Sequence, residues 1–265
     1  MIQPTMTAIA THHFTTVQNL KTHYLVIGDG DTPVVFLHGW GGNTDSFFKL
    51  GLELIEQRPD LKLIIPDYPG FGLTDDPDSD GWTTHQYADW VQDFCEKLKI
   101  NKAHFYVHSF GGRILTRLIN KYPTLGDQLI FTGAAGVKWP FTIRQKFSVF
   151  LSKLVPKAKS GRGQKIQQLI VTKIFGARDW GNVKPGLKVT LTKVLAEDDL
   201  RDDLTHLKQS SLIMWGEQDS ITPLKSGKVY AEKIPNNKFV TYKTGRHGIH
   251  HTHRNEIVEE LAKFL

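Results

Sequence analysis

Hydrophobic residues along this chain follow two alternating patterns. Short, mainly apolar runs typical of buried strands are followed by stretches in which apolar residues recur every three or four positions, as in amphipathic helices. A hairpin over residues 12–27, with Gln18 and Asn19 at its turn, precedes them. Strands that are apolar throughout and alternate with helices predict an α/β fold with a mostly parallel central sheet and helices on both faces. The strand-like runs include Pro33–Leu37, Leu61–Ile65, Gln128–Thr132, Ser211–Trp215 and Lys238–Tyr242.

This alternation stops after Thr132 and resumes only near Ser211. Residues 137–205 carry helical patterns with no strand-like run between them. We therefore predict that residues 1–136 and 206–265 form an α/β core, which a helical lid or cap at residues 137–205 interrupts.

Composition indicates a globular protein with a sizeable core. The chain has 265 residues, of which 40% are hydrophobic and 23% charged, as in ordinary globular domains. No apolar stretch is long enough to cross a bilayer, and the first residues lack the features of a signal peptide. The single cysteine, Cys95, excludes an internal disulfide and falls on the apolar side of a helical pattern. We expect a cytoplasmic protein without a structural zinc site.

The net charge of +6 is concentrated in the predicted lid. Ten basic residues and no acidic one lie between Lys138 and Arg178, and the rest of the chain holds 23 basic and 27 acidic residues. We interpret these basic residues first as a helix face exposed to solvent. The second interpretation is a binding site for a carboxylate- or phosphate-bearing substrate, and the third is contact with an anionic membrane surface. No nucleic-acid-binding motif accompanies the charge, so we do not expect nucleic acid as a partner.

Lys102–Arg113 is the stretch with the clearest chemical signature. Apolar residues lead into Ser109, Gly111 and Gly112 follow it, and a helical pattern then begins. A serine at the tip of a strand, a sharp turn and a helix is the setting of a nucleophile elbow, where small neighbours relieve a strained backbone. Val107 stands where the G-x-S-x-G motif has its first glycine, so the match is partial.

A serine hydroxyl needs a base within hydrogen-bond reach, and the base needs a third group that fixes its tautomer. Loops that follow parallel strands meet at one edge of the sheet. The loop after Ser211–Trp215 supplies Asp219, with Glu217 as its competitor, and the loop after the last strand supplies His247. Three more histidines follow, and we expect them to pack that loop or to begin the next helix: His250, His251 and His253.

From about Pro33 onwards the chain resembles the α/β-hydrolase superfamily. Five stretches carry the resemblance, each weak alone but specific in this order: FLHGWGG, PDYPGFGLTD, VHSFGG, WGEQDSITP and GRHGIHH. The resemblance implies that Ser109 is the nucleophile, Asp219 the orienting acid and His247 the general base. It also implies an oxyanion hole formed by the backbone N–H groups of Trp40 and Phe110.

The resemblance further implies that the helical insertion roofs a substrate pocket and that no cofactor is needed. Three aromatic residues of the insertion would line the substrate side of that pocket: Trp139, Phe141 and Phe147. The resemblance also implies that His38 shapes the loop to which it belongs and does not react.

The identity of the nucleophile narrows the chemistry. Haloalkane dehalogenases and epoxide hydrolases of this fold use aspartate where this chain has Ser109. Carbon–carbon bond hydrolases usually have asparagine before the serine, where this chain has His108. We therefore predict a carboxylesterase that acts on a small-molecule ester through an acyl-enzyme intermediate. An acyltransferase or thioesterase with the same triad, a carbon–carbon bond hydrolase, a non-catalytic ligand receptor and a cofactor-free oxygenase stay open, as does the oligomeric state.

Overall fold

The computed structural model describes residues 9–77, 79–140 and 185–265. Within these residues eight strands form one sheet in the order β1-β2-β4-β3-β5-β6-β7-β8. β1 and β2 pair antiparallel, as do β2 and β4, and all other neighbours are parallel. The strands are β1 (Ala10–Val17), β2 (Leu20–Ile27), β3 (Thr32–Leu37), β4 (Leu61–Pro66), β5 (Ala103–His108), β6 (Gly126–Thr132), β7 (Ser210–Gly216) and β8 (Asn237–Tyr242).

Helices cover both faces of the sheet, which confirms the predicted fold class. Val35 and Phe105 face a core that includes residues of α2 and α3, whereas Val34 and Tyr106 face a core that includes residues of α1 and α8. Successive strand residues are buried on opposite faces, which is why these strands are apolar throughout. A short 3-10 helix, Thr44–Phe47, precedes α1. The described α-helices are α1 (Phe48–Gln57), α2 (Thr84–Lys97), α3 (Phe110–Lys121), α4 (Pro185–Ala196), α5 (Arg201–Leu204), α6 (Leu224–Lys233), α7 (Ile249–Thr252) and α8 (Arg254–Phe264).

Local signals in the sequence account for several of the boundaries. Gln18 and Asn19 both have positive φ, +49° and +63°, as a two-residue hairpin turn of type I′ requires. Thr83 caps α2 through a reciprocal capping box with Gln86. Cys95 is fully buried within α2, and burial raises the pKa of its thiol to about 12.

The end of the predicted lid is attached to the loop between β4 and α2. In α4, Leu187 lies against Gly70, and the hydroxyl of Thr190 accepts a hydrogen bond of 2.8 Å from the backbone N–H of Trp82. Residues 141–184 of the predicted lid lie outside the described residues. No helix in the described ranges combines the length and the apolar character that a membrane span requires.

Candidate active site

Ser109 lies at the junction of β5 and α3, with φ of +50° and ψ of −110°. This backbone conformation is costly for a residue with a Cβ. The two glycines after it allow α3 to approach the sheet closely. A Cβ on Gly111 would lie 2.5 Å from the carbonyl oxygen of Leu37, and a Cβ on Gly112 would lie 2.5 Å from the Cβ of Ala134.

Hydrogen bonds to the end of β6 and to the loop after it hold the turn at Ser109. Its N–H donates to the carbonyl oxygen of Thr132 at 3.1 Å, and its own carbonyl oxygen accepts from Ala135 N–H at 2.8 Å. Val107 is fully buried in the core on the α2 and α3 side of the sheet, and its carbonyl oxygen accepts from the Thr132 hydroxyl at 2.9 Å. Because the valine side chain packs into the core, the turn keeps its strained conformation without a glycine at this position.

Three distant side chains meet in series at the carboxyl edge of the sheet. The Nε2 of His247 lies 2.9 Å from the Oγ of Ser109, and its Nδ1 lies 2.8 Å from the Oδ2 of Asp219. A carboxylate oxygen only accepts, so Nδ1 carries the proton of a neutral ring and Nε2 accepts from the serine hydroxyl. The Asp219 side chain is inaccessible to solvent, whereas the imidazole of His247 is 24% exposed.

Backbone and hydroxyl donors fix the carboxylate of Asp219. Its Oδ1 accepts from the N–H groups of Ile221 and Thr222 at 2.8 and 2.9 Å. The Thr222 hydroxyl donates to Oδ2 at 2.8 Å and lies 3.1 Å from Nδ1 of His247. Sequence reasoning missed Thr222, and its position three residues after Asp219 was the available signal. Glu217, the competing acid, is exposed and accepts from the Thr241 hydroxyl instead.

A buried histidine, His108, packs against His247, and a second one, His250, packs against His108. The rings of His108 and His247 are 4.7 Å apart between centroids, and those of His108 and His250 are 4.4 Å apart. Burial lowers the pKa of His108 well below its ordinary value and that of His250 to about 3. Both rings are therefore neutral near pH 7. His250 also lies against Phe47, at 5.3 Å between ring centroids, which fits the loop-packing role expected from the sequence.

The loop after β3 passes directly beside Ser109. A Cβ on Gly39 would lie 3.3 Å from the Cβ of Ser109. Trp40 follows in this loop, and its ring packs edge-on against that of Phe110 at 5.3 Å between centroids. Phe110 is the first residue of α3, where backbone N–H groups have no partner within the helix. The expected oxyanion donors thus belong to two segments that flank the serine, and their role stays a prediction.

His38 shapes this loop by two hydrogen bonds. Its Nδ1 donates to the carbonyl oxygen of Gly39 at 2.8 Å, and its Nε2 accepts from Tyr68 N–H at 3.2 Å. The ring is fully buried, and burial lowers the pKa of His38. The contacts fit the structural role that the family resemblance implies.

A cavity of about 870 Å³ lies next to Ser109. Trp40, Leu191 and Val194 are among its apolar lining residues. Trp139 also lines it and donates from Nε1 to the Ser226 hydroxyl at 2.8 Å. Phe141 and Phe147, the other two aromatic residues expected there, lie outside the described residues. Across the described ranges, no three His, Cys, Asp or Glu side chains are arranged to hold a metal ion.

A serine on a strained strand–helix turn, joined to a histidine and an acid from two later loops of a mostly parallel sheet, defines the class of α/β hydrolases. The family model described as the alpha/beta hydrolase fold matches residues 32–162. The chain belongs to the α/β-hydrolase superfamily. The family supports the broad prediction of a hydrolase, and the ester substrate stays a prediction.

Two relatives align with nearly the whole chain. The AB hydrolase superfamily protein YisY of Bacillus subtilis is 24% identical over 96% of this chain and 98% of its own length. The pimeloyl-[acyl-carrier protein] methyl ester esterase of Shewanella woodyi is 26% identical over 92% of this chain and 97% of its own length.

Solved structures share the fold. An esterase from Exiguobacterium antarcticum superposes with a TM-score of 0.76 at 22% identity, over 96% of this chain and 99% of that one. A putative lipase from Acinetobacter baumannii gives the same TM-score at 18% identity, over 96% of this chain and 90% of that one.

Proposed function

We propose that this protein is a serine hydrolase that cleaves carboxylic esters through an acyl-enzyme intermediate. The observation that carries the proposal is the continuous series of hydrogen bonds from the Ser109 hydroxyl through His247 to Asp219, at 2.9 and 2.8 Å. Within hydrogen-bond distance a neutral imidazole activates a hydroxyl that is otherwise a poor nucleophile.

In the first half of the reaction the Ser109 Oγ attacks the ester carbonyl carbon while Nε2 of His247 takes the hydroxyl proton. The imidazolium that forms is stabilised by Asp219, which keeps the ring in one orientation. Negative charge develops on the former carbonyl oxygen, and the N–H groups of Trp40 and Phe110 would donate to it. Each such donor contributes about 3 kcal/mol of barrier reduction in related sites.

The intermediate then collapses. The bond between carbonyl carbon and alkoxy oxygen breaks, Nε2 returns its proton to the departing alcohol, and the acyl group stays on Ser109. Water takes the alcohol's place, gives a proton to His247 and attacks the acyl carbon. Collapse of the second intermediate releases the acid and restores the serine hydroxyl.

The residues around Ser109 support a substrate whose acyl group is a hydrocarbon chain. Trp40, Leu191 and Val194 line the cavity with apolar surface, which suits hydrocarbon. Residues 137–205 would act as its lid. The full-length relative from Shewanella woodyi carries the name of a methyl ester esterase, and this name agrees with the proposed bond.

Steady-state kinetics with p-nitrophenyl esters of graded acyl length test this function. We expect Ser109→Ala to lower kcat/KM by roughly 10⁴-fold or more, because the nucleophile is lost. The exposed Ser79 provides a matched control, and Ser79→Ala is expected to retain wild-type rates. A Ser109→Ala protein that hydrolyses these esters at the wild-type rate would overturn the proposal. Product analysis at rising alcohol concentration separates hydrolysis from acyl transfer.

A further inference from the structure

The cavity beside Ser109 has a one-sided charge. Among the described residues that line it, Arg113, Lys138 and Lys225 are basic and none is acidic. Lys225 is exposed, and its ammonium lies 4.0 Å from the ring centre of Trp139. Lys138 donates from Nζ to a backbone carbonyl of α4. Arg113 differs from both lysines because it is buried.

Arg113 lies in the first turn of α3, four residues after Ser109, and its side chain is only 8% exposed. The Oε2 of Glu197 is 3.8 Å from its Nη1, which is beyond hydrogen-bond distance. Thr84 already donates to the Glu197 carboxylate, from its N–H at 2.6 Å and from its hydroxyl. Within the described part of the chain, Nη1 of Arg113 has no hydrogen-bond partner.

A guanidinium buried in this position lowers the stability of the folded protein. Burial without full hydrogen bonding destabilises a charged group, and an apolar side chain would fill the same space without that loss. Burial also lowers the pKa of Arg113, although arginine keeps its proton in proteins. Nη1 itself is shielded from solvent, whereas Arg113 as a residue lines the cavity. A buried cation that is not fully hydrogen-bonded and lies beside a substrate cavity is suited to a ligand anion.

We propose that Arg113 binds an anionic group on the acyl chain, so that the substrates are esters whose acyl chain ends in a free carboxylate. This inference rests on the proposed function, because it assumes that the acyl chain of the ester enters the cavity. The guanidinium N–H groups donate to the carboxylate oxygens, and the lysines add positive potential at the rim. A single negative charge fits better than a phosphate dianion, because Glu197 lies beside the guanidinium.

Monomethyl adipate and dimethyl adipate form a matched pair of probes, since one chain end is a free carboxylate in the first and an uncharged methyl ester in the second. We expect the wild type to hydrolyse monomethyl adipate with a kcat/KM at least tenfold higher than that for dimethyl adipate. Arg113→Met should reduce this preference at least tenfold, and Arg113→Lys should keep part of it. Arg117→Met is the control, because Arg117 belongs to the same helix but pairs with Asp203 outside the cavity.

Binding to Ser109→Ala, measured by calorimetry, separates this inference from the proposed function. We expect Ser109→Ala to bind monomethyl adipate at least tenfold more tightly than dimethyl adipate, and the added Arg113→Met change to remove the difference. Such binding without turnover by the wild type would overturn the esterase proposal and support the anion site. Turnover of both esters without a charge preference would overturn the anion site and leave the esterase proposal standing. If Arg113→Met fails to fold, Arg113→Gln takes its place, and a wild type without a preference for monomethyl adipate would overturn the inference whatever the variants do.

Discussion

His247 owes its orientation to neighbours on every side of its ring. Asp219 and Thr222 face its Nδ1, Ser109 faces its Nε2, and the neutral ring of His108 lies beside it. A second neutral histidine, His250, is buried behind His108. Its Nδ1 has no hydrogen-bond partner among the described residues. Neutral rings leave His247 as the proton acceptor without placing a permanent positive charge next to it.

The burial of His250 predicts a loss of stability in acid. Its pKa of about 3 in the folded protein lies below the ordinary value of 6.5, so between these values the unfolded chain binds the extra proton. The stabilisation is therefore complete above pH 6.5 and is lost as the pH falls towards 3. Between these two pH values the free energy of unfolding falls by about 1.4 kcal/mol for each unit by which the pH is lowered.

Urea denaturation at pH 7 and pH 5 measures this effect. We expect the free energy of unfolding of His250→Gln to depend less on pH than that of the wild type, by about 1–2 kcal/mol across this interval. His85→Gln serves as the control for the loss of a histidine elsewhere, because His85 is exposed on α2. Equal pH dependence in wild type and His250→Gln would show that His250 is not held neutral in the folded state.

At the scale of elements, the turn between β5 and α3 stores strain at the residue that is proposed to react. Ser109 has a φ of +50°, a conformation that glycine adopts readily and alanine does not. Ser109→Gly should therefore be about 1 kcal/mol more stable than Ser109→Ala, although glycine usually destabilises.

Urea denaturation of both variants tests the strain. Lys228, an exposed residue within α6, provides the reference pair, because there alanine should be more stable than glycine by about 1 kcal/mol. If Ser109→Ala proves more stable than Ser109→Gly, as at Lys228, the turn is not strained in solution.

Much of this arrangement could be predicted from the sequence, because strand ends and the loops that follow them are local features. The apolar runs before Ser109, Asp219 and His247 predict where each loop begins, and parallel pairing brings those loops to one edge. Val107 illustrates a limit of motifs. The missing glycine weakens the G-x-S-x-G match, yet the valine side chain points into the core and leaves the turn intact.

Other features depend on contacts between distant segments, which periodicity does not report. Nothing in the local sequence around Arg113 indicates that its nearest carboxylate is Glu197, or that this carboxylate is already bound by Thr84. The packing of His250 on His108 likewise joins β5 to α7, far along the chain. The basic residues of the predicted lid from Arg144 to Arg178 lie outside the described residues, so the three interpretations of that charge stay predictions.

At the scale of the whole molecule, the sheet brings together groups that are far apart in the chain. Loops after β3, β5, β7 and β8 meet at one edge and surround Ser109 with a base, an acid and candidate oxyanion donors. The helices behind them bury both faces of the sheet, so the loops extend from a rigid support. The central claim is that this convergence activates Ser109 in solution.

Labelling with a fluorophosphonate probe, followed by tandem mass spectrometry of the digested protein, tests that claim most directly. We predict a phosphonyl adduct on Ser109 of the wild type, and a labelling rate reduced by roughly 10³-fold or more in His247→Gln. An adduct on another residue, no adduct at all, or labelling of Ser109 at the same rate in His247→Gln would contradict the account.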